Sequence, residues 1–201
     1  MGNADELAKA TVRIVHENGD GLGSGFHFIR PDIIVSNAHV AQPLIAGNSA
    51  LYAEAETGER WALKITANSP PSEFDFAIMS ATGASFDTRR ALMPDDTEVN
   101  SRGKRLLYAG YPHGTDPLLV GSSEVTAPFK DKFFCFDAMI HGGNSGGPVI
   151  DAESLAVVGV VTARRFLGDP QMKEIDAEMA QLQTYLEQVQ CTRPVRAALR
   201  R

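Results

Sequence analysis

His141-Gly142-Gly143-Asn144-Ser145-Gly146-Gly147-Pro148 is the stretch on which the reading of the whole chain turns. Four glycines surround one small nucleophile, Ser145. Glycine populates backbone conformations that other residues resist, so successive N–H groups of such a loop can converge on one point. The segment reads as a loop that presents a serine beside a nest of backbone donors. A turn that merely reverses the chain is the plainer alternative.

Serine is a weak nucleophile at its free pKa; it needs a base, and the base needs an orienting group. Five histidines are available, His16, His27, His39, His113 and His141, and all precede Ser145. Gly143-Asn144-Ser145-Gly146-Gly147 also fits the G-x-S-x-G elbow of α/β-hydrolases, but there the histidine follows the serine. Chain order therefore excludes that fold and leaves the orders His-Asp-Ser and Asp-His-Ser.

Working outward, the chain of 201 residues is 43% hydrophobic, enough for one well-buried core or a compact double barrel. A formal net charge of −6 and a pI near 5.4 argue against a nucleic-acid partner. Arg193, Arg196, Arg200 and Arg201 form a local basic tail, read as a solvated terminus. The start, Met1-Gly2-Asn3-Ala4-Asp5-Glu6, lacks the basic and apolar regions of a secretory signal, and no apolar run is long enough to span a membrane. Cys135 and Cys191 are far apart and do not suggest a disulfide framework. A cytoplasmic location is the resulting expectation.

Residues 3–10 read as a short helix with Asn3 as N-cap and Glu6 closing a capping box. Short alternating or β-branched runs follow at 11–16, 26–29, 33–35, 51–55, 61–67, 76–79, 105–109, 118–126, 133–137, 149–151 and 157–162. Arg30-Pro31-Asp32 reads as a turn, and Thr57-Gly58-Glu59 as the loop of a hairpin. Short strands separated by Gly, Pro and Asn turns predict an all-β sandwich or barrel. After Gly168-Asp169-Pro170 the pattern changes. Met172, Ile175, Met179, Leu182, Leu186 and Val189 form a narrow apolar stripe at helical spacing. A helix at 171–190 is expected to dock on the barrel or to serve self-association or partner docking.

His39 follows the apolar run Ile33-Ile34-Val35, at a strand-to-loop junction suited to a base that must be rigid yet reachable. Asp75 stands between Phe74 and Phe76 at the head of an apolar strand. A partly buried carboxylate there needs a hydrogen-bonding partner, and an imidazole N–H is a good one.

Six blocks now line up: Gly23-Ser24-Gly25-Phe26, Ser36-Asn37-Ala38-His39-Val40, Phe74-Asp75-Phe76-Ala77-Ile78, Gly110-Tyr111-Pro112-His113-Gly114, Gly143-Asn144-Ser145-Gly146-Gly147-Pro148 and Val158-Gly159-Val160-Val161-Thr162. In this order they resemble the trypsin-like serine proteases, most closely the HtrA/DegP-type bacterial branch. The resemblance covers roughly residues 11–165 and implies two six-stranded antiparallel β-barrels of chymotrypsin type, with the short N-terminal helix and a C-terminal α-helix outside them. It implies a protease domain over 1–168, divided near 82–103, and a helix with a basic tail over 169–201. It further implies a serine endopeptidase with Ser145 as nucleophile, His39 as base and Asp75 as orienting group, and the N–H groups of Gly143 and Ser145 as oxyanion hole. The substrate is a protein or peptide, and neither a metal nor a cofactor is required.

Departures from the family pattern add expectations. Asn144 replaces an acidic residue, so no zymogen cleavage is expected. Met139, at the floor of the S1 pocket, with Ile140 and the wall residues Thr162, Ala163 and Arg164, points to an apolar P1 side chain. His141 is near the same pocket and reads as a loop histidine or a substrate contact. No PDZ-like segment follows within the chain. A subtilisin-type set of Asp32, His113 and Ser145 conflicts with the strand after the serine, and a cysteine nucleophile at Cys135 conflicts with Ser145 in the nucleophile's place. The rival of another class is a catalytically silent binding or scaffold module, or a protease held inactive until a partner orders its oxyanion loop.

Overall fold

The period-2 apolar pattern of the first half closes on itself. In the computed structural model, which describes residues 2–94, 101–114, 117–130, 133–138 and 140–162, a helix α1 (Asn3–Ala10) leads into strands β1 (Thr11–His16), β2 (Gly21–Phe28) and β3 (Arg30–Ser36). A single helical turn α2 (Gln42–Ile45) and strands β4 (Leu51–Glu54), β5 (Arg60–Ser69) and β6 (Phe76–Gly83) complete the first half. These strands form a closed antiparallel barrel in the order β1-β2-β3-β6-β5-β4. Alternate residues Val12 and Ile14, Leu51 and Ala53, Trp61 and Leu63, and Ala77, Met79 and Ala81 point inward as one buried cluster. Closure pairs β4 with β1 and leaves no exposed sheet edge in this lobe.

The second lobe contains β7 (Arg105–Gly110), β8 (Leu119–Lys130), β9 (Phe133–Phe136), β10 (Pro148–Asp151) and β11 (Val157–Val160). They form a sheet ordered β11-β10-β7-β8-β9, so the second barrel shows five strands among the described residues. Leu106, Val125, Val149 and Val161 form its inner cluster. A third cluster joins the lobes: Leu7 and Ala10 of α1 with Phe26, Val35, Leu92, Ala109, Tyr111, Leu118 and Ile150. The crossing segment is bridged at Leu92 to Phe28 and at Pro94 to Val157. At the end of β10, Asp151 lies 2.6 Å from the Lys104 ammonium. Burial works to raise its carboxyl; Lys104 and the amides of Glu153 and Ser154 overcome this and hold it below the ordinary range.

Two local expectations are corrected. The N-cap of α1 is Gly2, not Asn3, and Asp5 rather than Glu6 receives the Gly2 N–H, at 3.1 Å. Arg30-Pro31-Asp32 lies within β3. The reversal is compressed onto Ile29, at φ 62°. Pairing with β2 jumps from Phe28–Arg30 to His27–Ile34, and this bulge admits a residue without an N–H. The helix at 171–190 lies outside the described residues. Among those described, no helix is long and apolar enough to cross a membrane.

Candidate active site

The site lies where the first barrel meets the loop between β9 and β10. Immediately after β3, Asn37 opens a tight turn in which the Ala41 N–H returns to the Asn37 carbonyl at 3.1 Å. His39 sits in that turn with its side chain 43% exposed, against 14% for Asp75. Its Nδ1–H donates to Asp75 Oδ2 at 2.7 Å, and its main-chain N–H donates to Asp75 Oδ1 at 3.0 Å. Both carboxylate oxygens thus bind the same residue, which fixes the ring's orientation and leaves Nε2 as the basic nitrogen. Asp75 itself is in the left-handed region, φ 51°. Its backbone is held by Asn37 Nδ2 on its carbonyl at 2.8 Å, and by its own N–H on the Pro70 carbonyl at 3.1 Å. The Thr162 hydroxyl adds a third bond to the carboxylate, donating to Oδ2 at 2.9 Å.

Ser145 stands on the Gly-rich loop, and that loop is anchored through its carbonyls. The Gly142 carbonyl accepts from the His113 N–H. The Gly143 carbonyl accepts from Ser24 Oγ at 2.7 Å. The Asn144 carbonyl accepts from the Gly147 N–H at 3.0 Å, and the Ser145 carbonyl from the Ser24 N–H at 2.8 Å. In a trans peptide the N–H points opposite to the C=O. Three of these carbonyls bind groups outside the loop and the Asn144 carbonyl closes a turn within it; each turns the N–H of its own peptide unit the other way. Asn144 returns its own N–H to the His141 carbonyl at 3.2 Å, while those of Gly143 and Ser145 have no acceptor among the described residues. Gly143, at φ 93°, and Gly146, at φ 87°, supply the positive φ this path requires. Ser145 Oγ is not hydrogen-bonded to His39 among the described residues; such contacts are often loose without substrate.

The other predicted residues separate. Ile140 packs against the inner cluster of the second sheet. Thr162, expected at the pocket wall, directs its hydroxyl to Asp75. Met139, Ala163 and Arg164 lie outside the described residues. The His141 ring pairs with that of His113, centroids 5.6 Å apart. A cleft of about 350 Å³, absent from the sequence reading, opens beside His39 and is lined by Leu22, Val40, Gln42, Pro43, Ala46 and Asn48 of the first barrel. Among the described residues no three metal-ligating side chains cluster. Asn37 and Ser24 have no role assigned from the sequence, and Thr162 is expected there at the pocket wall rather than on Asp75. Each lies inside a motif block that was quoted, which was the available signal.

The model of the trypsin-like peptidase domain matches residues 23–160. HhoA of Synechocystis sp., which bears the name of a serine protease, is 28% identical over 156 residues; the match covers 72% of this chain but only 37% of HhoA. The serine endoprotease of Yersinia pestis superposes with a TM-score of 0.66 at 18% identity, over 81% of this chain and 57% of that one. A mutant of Rv3671c from M. tuberculosis, in its inactive form, gives 0.63 at 20% identity, over 82% and 79%. An HtrA-type protease, AlgW, with a tripeptide gives 0.64 at 19% identity, over 79% and 52%. The family match runs from β2 to β11, the last strand of the second sheet, and the chain belongs to the trypsin-like peptidase family of serine proteases.

Proposed function

We propose that this chain is an endopeptidase that cleaves protein or peptide substrates through Ser145, His39 and Asp75. The observation that carries the reading is the coincidence of two arrangements: a carboxylate seated on His39 Nδ1, and a nucleophile loop whose carbonyls from Gly142 to Ser145 are all engaged while the Gly143 and Ser145 N–H groups have no acceptor among the described residues. The first leaves Nε2 to take the Ser145 proton. The second offers the Gly143 and Ser145 N–H groups to the oxygen that becomes negative.

In the first step Ser145 Oγ attacks the scissile carbonyl carbon, its proton passes to His39 Nε2, and the carbonyl oxygen takes the charge. Collapse breaks the C–N bond as His39 returns the proton to the leaving amine. Water, deprotonated by His39, then attacks the acyl carbon; the C–Oγ bond breaks, His39 returns the proton to Ser145 Oγ, and the acid product leaves. Asp75 stabilises the transient imidazolium, and Thr162 with Asn37 keeps Asp75 in place. Each oxyanion donor contributes about 10²–10³ in rate. Ile140, backed by the second core, and Met139 support an apolar P1 preference. The cleft beside His39 is on the base's side of the site and suits an apolar residue after the scissile bond. The domain limits 1–168 and 169–201, and docking through 171–190, stand as part of this proposal.

The test is labelling by a fluorophosphonate probe, wild type beside Ser145→Ala. Labelling of wild type alone is expected, followed by release of peptide amines from a substrate library. Two folded proteins that both resist labelling and cleavage would overturn the reading and leave a binding module on this fold.

A further inference from the structure

A glycine pair such as Gly142-Gly143 does not choose its own conformation, because glycine enters left- and right-handed regions with similar ease. The peptide that carries the Gly143 N–H is held on one side by the His113 N–H on the Gly142 carbonyl; unless the next peptide, Gly143–Asn144, is held as well, φ and ψ of Gly143 can change and swing that donor away from the substrate. Something outside the loop must select the productive form. Resting on the serine-peptidase reading above, we propose that Ser24 is the positioning residue that makes this selection.

Ser24 lies in β2, in the first barrel, and is fully buried. Its contacts with the nucleophile loop come from both its side chain and its backbone. Oγ donates to the Gly143 carbonyl at 2.7 Å, and the main-chain N–H donates to the Ser145 carbonyl at 2.8 Å. The hydroxyl's direction is determined. It accepts the Tyr111 N–H at 2.9 Å, so its single proton goes to Gly143. Ser24 is in turn held by Ser36, whose Oγ donates to the Ser24 carbonyl at 2.6 Å. Space around the hydroxyl is closed: a Cβ on Gly110 would come within 3.0 Å of Ser24 Oγ. One side chain of the first barrel thus ties together the Tyr111 turn and the nucleophile loop of the second lobe.

Ser24 does not touch the reacting atoms. It acts by holding the Gly143–Asn144 peptide, and without its hydroxyl both the Gly143 carbonyl and the Tyr111 N–H lose this partner in a buried setting, a costly loss. The loop then relaxes into forms in which the Gly143 donor is misdirected. Loss of one such donor predicts a fall of about 10² in kcat with little change in KM, because the donor acts on the transition state.

The experiment compares wild type, Ser24→Ala, Ser24→Gly and Ser24→Cys, all checked for folding by circular dichroism. Peptide-amide kinetics, inhibition by a peptide aldehyde and fluorophosphonate labelling rates are measured on each. Expected are a kcat loss of about 10² for Ser24→Ala, an aldehyde Ki raised by a similar factor, and partial recovery with Ser24→Cys, a weak donor. Wild-type rates in folded Ser24→Ala would overturn the proposal. So would a raised KM with unchanged kcat, which would make Ser24 a substrate contact. If no variant folds, Ser24 serves the barrel rather than the loop, and the proposal is again overturned. A wild type that resists labelling overturns the serine-peptidase reading itself, and this is read from a different sample.

Discussion

His27 ties the stability of the first barrel to pH. It sits in β2, fully buried, with its ring edge-on to Trp61 at 5.4 Å and Phe86 at 6.0 Å. Nδ1–H donates to the Pro31 carbonyl at 2.5 Å, while Nε2 has no partner among the described residues. Burial is the dominant influence and lowers the pKa from 6.5 to about 4; the Pro31 bond opposes this, and the Arg89 cation adds to it. The folded protein therefore keeps the ring neutral, while the unfolded chain protonates it below 6.5. Between those values the unfolded state binds more protons, so stability falls as pH falls, and the effect levels off below about 4. At about 1.4 kcal/mol per pH unit, the loss is about 2 kcal/mol by pH ~5 and about 3 kcal/mol by pH ~4. Carboxylates titrate in the lower part of this range, so the comparison is with His27→Leu, which has similar volume and no titration. Urea unfolding at about pH 7.5, 6 and 5 gives the difference in slope directly. Wild type should lose about 2 kcal/mol more than the variant between pH ~7.5 and ~5. Parallel curves would refute the reasoning, whatever the absolute stability of the variant.

Two further outcomes are expected. Gly146→Ala places a methyl at φ 87° that overlaps the Ser24 carbonyl and Ser36 Oγ. Left-handed backbone costs about 1–2 kcal/mol and overpacking about 1–3 more, so thermal unfolding should move down by many degrees, with loss of probe labelling. A variant with wild-type stability would show that the loop path is wrong. Asp75→Asn should keep the fold yet lower kcat/KM by about 10⁴, because an amide no longer fixes the His39 tautomer or stabilises its cation. Retention of a tenth of the activity would remove Asp75 from its proposed role.

Much of this protein was legible in the chain as written. Alternation in β1, β4, β5 and β6 encodes the inward faces of the barrel, because a strand has only two faces and one must be dry. Chain order alone excluded the α/β-hydrolase arrangement, and the motif blocks singled out His39, Asp75 and Ser145, of which the structure hydrogen-bonds the first two. Local chemistry misled at the start of α1, where the cap is Gly2 with Asp5 rather than Asn3 with Glu6, and where a neighbouring strand overrides it. Pro31 announces a turn, yet a bulge against β2 carries it within a strand. What only the tertiary structure decided is the use of hydroxyls and carbonyls. Ser24 reads as an ordinary polar residue and Thr162 as a pocket wall, and in the fold their hydroxyls grip Gly143 and Asp75, respectively 119 and 87 positions away in sequence. The physical reason is range. Side-chain type and strand period are local properties that a sequence states directly. A hydrogen bond of 2.7 Å between lobes exists only once both cores have packed and brought β2 against the nucleophile loop.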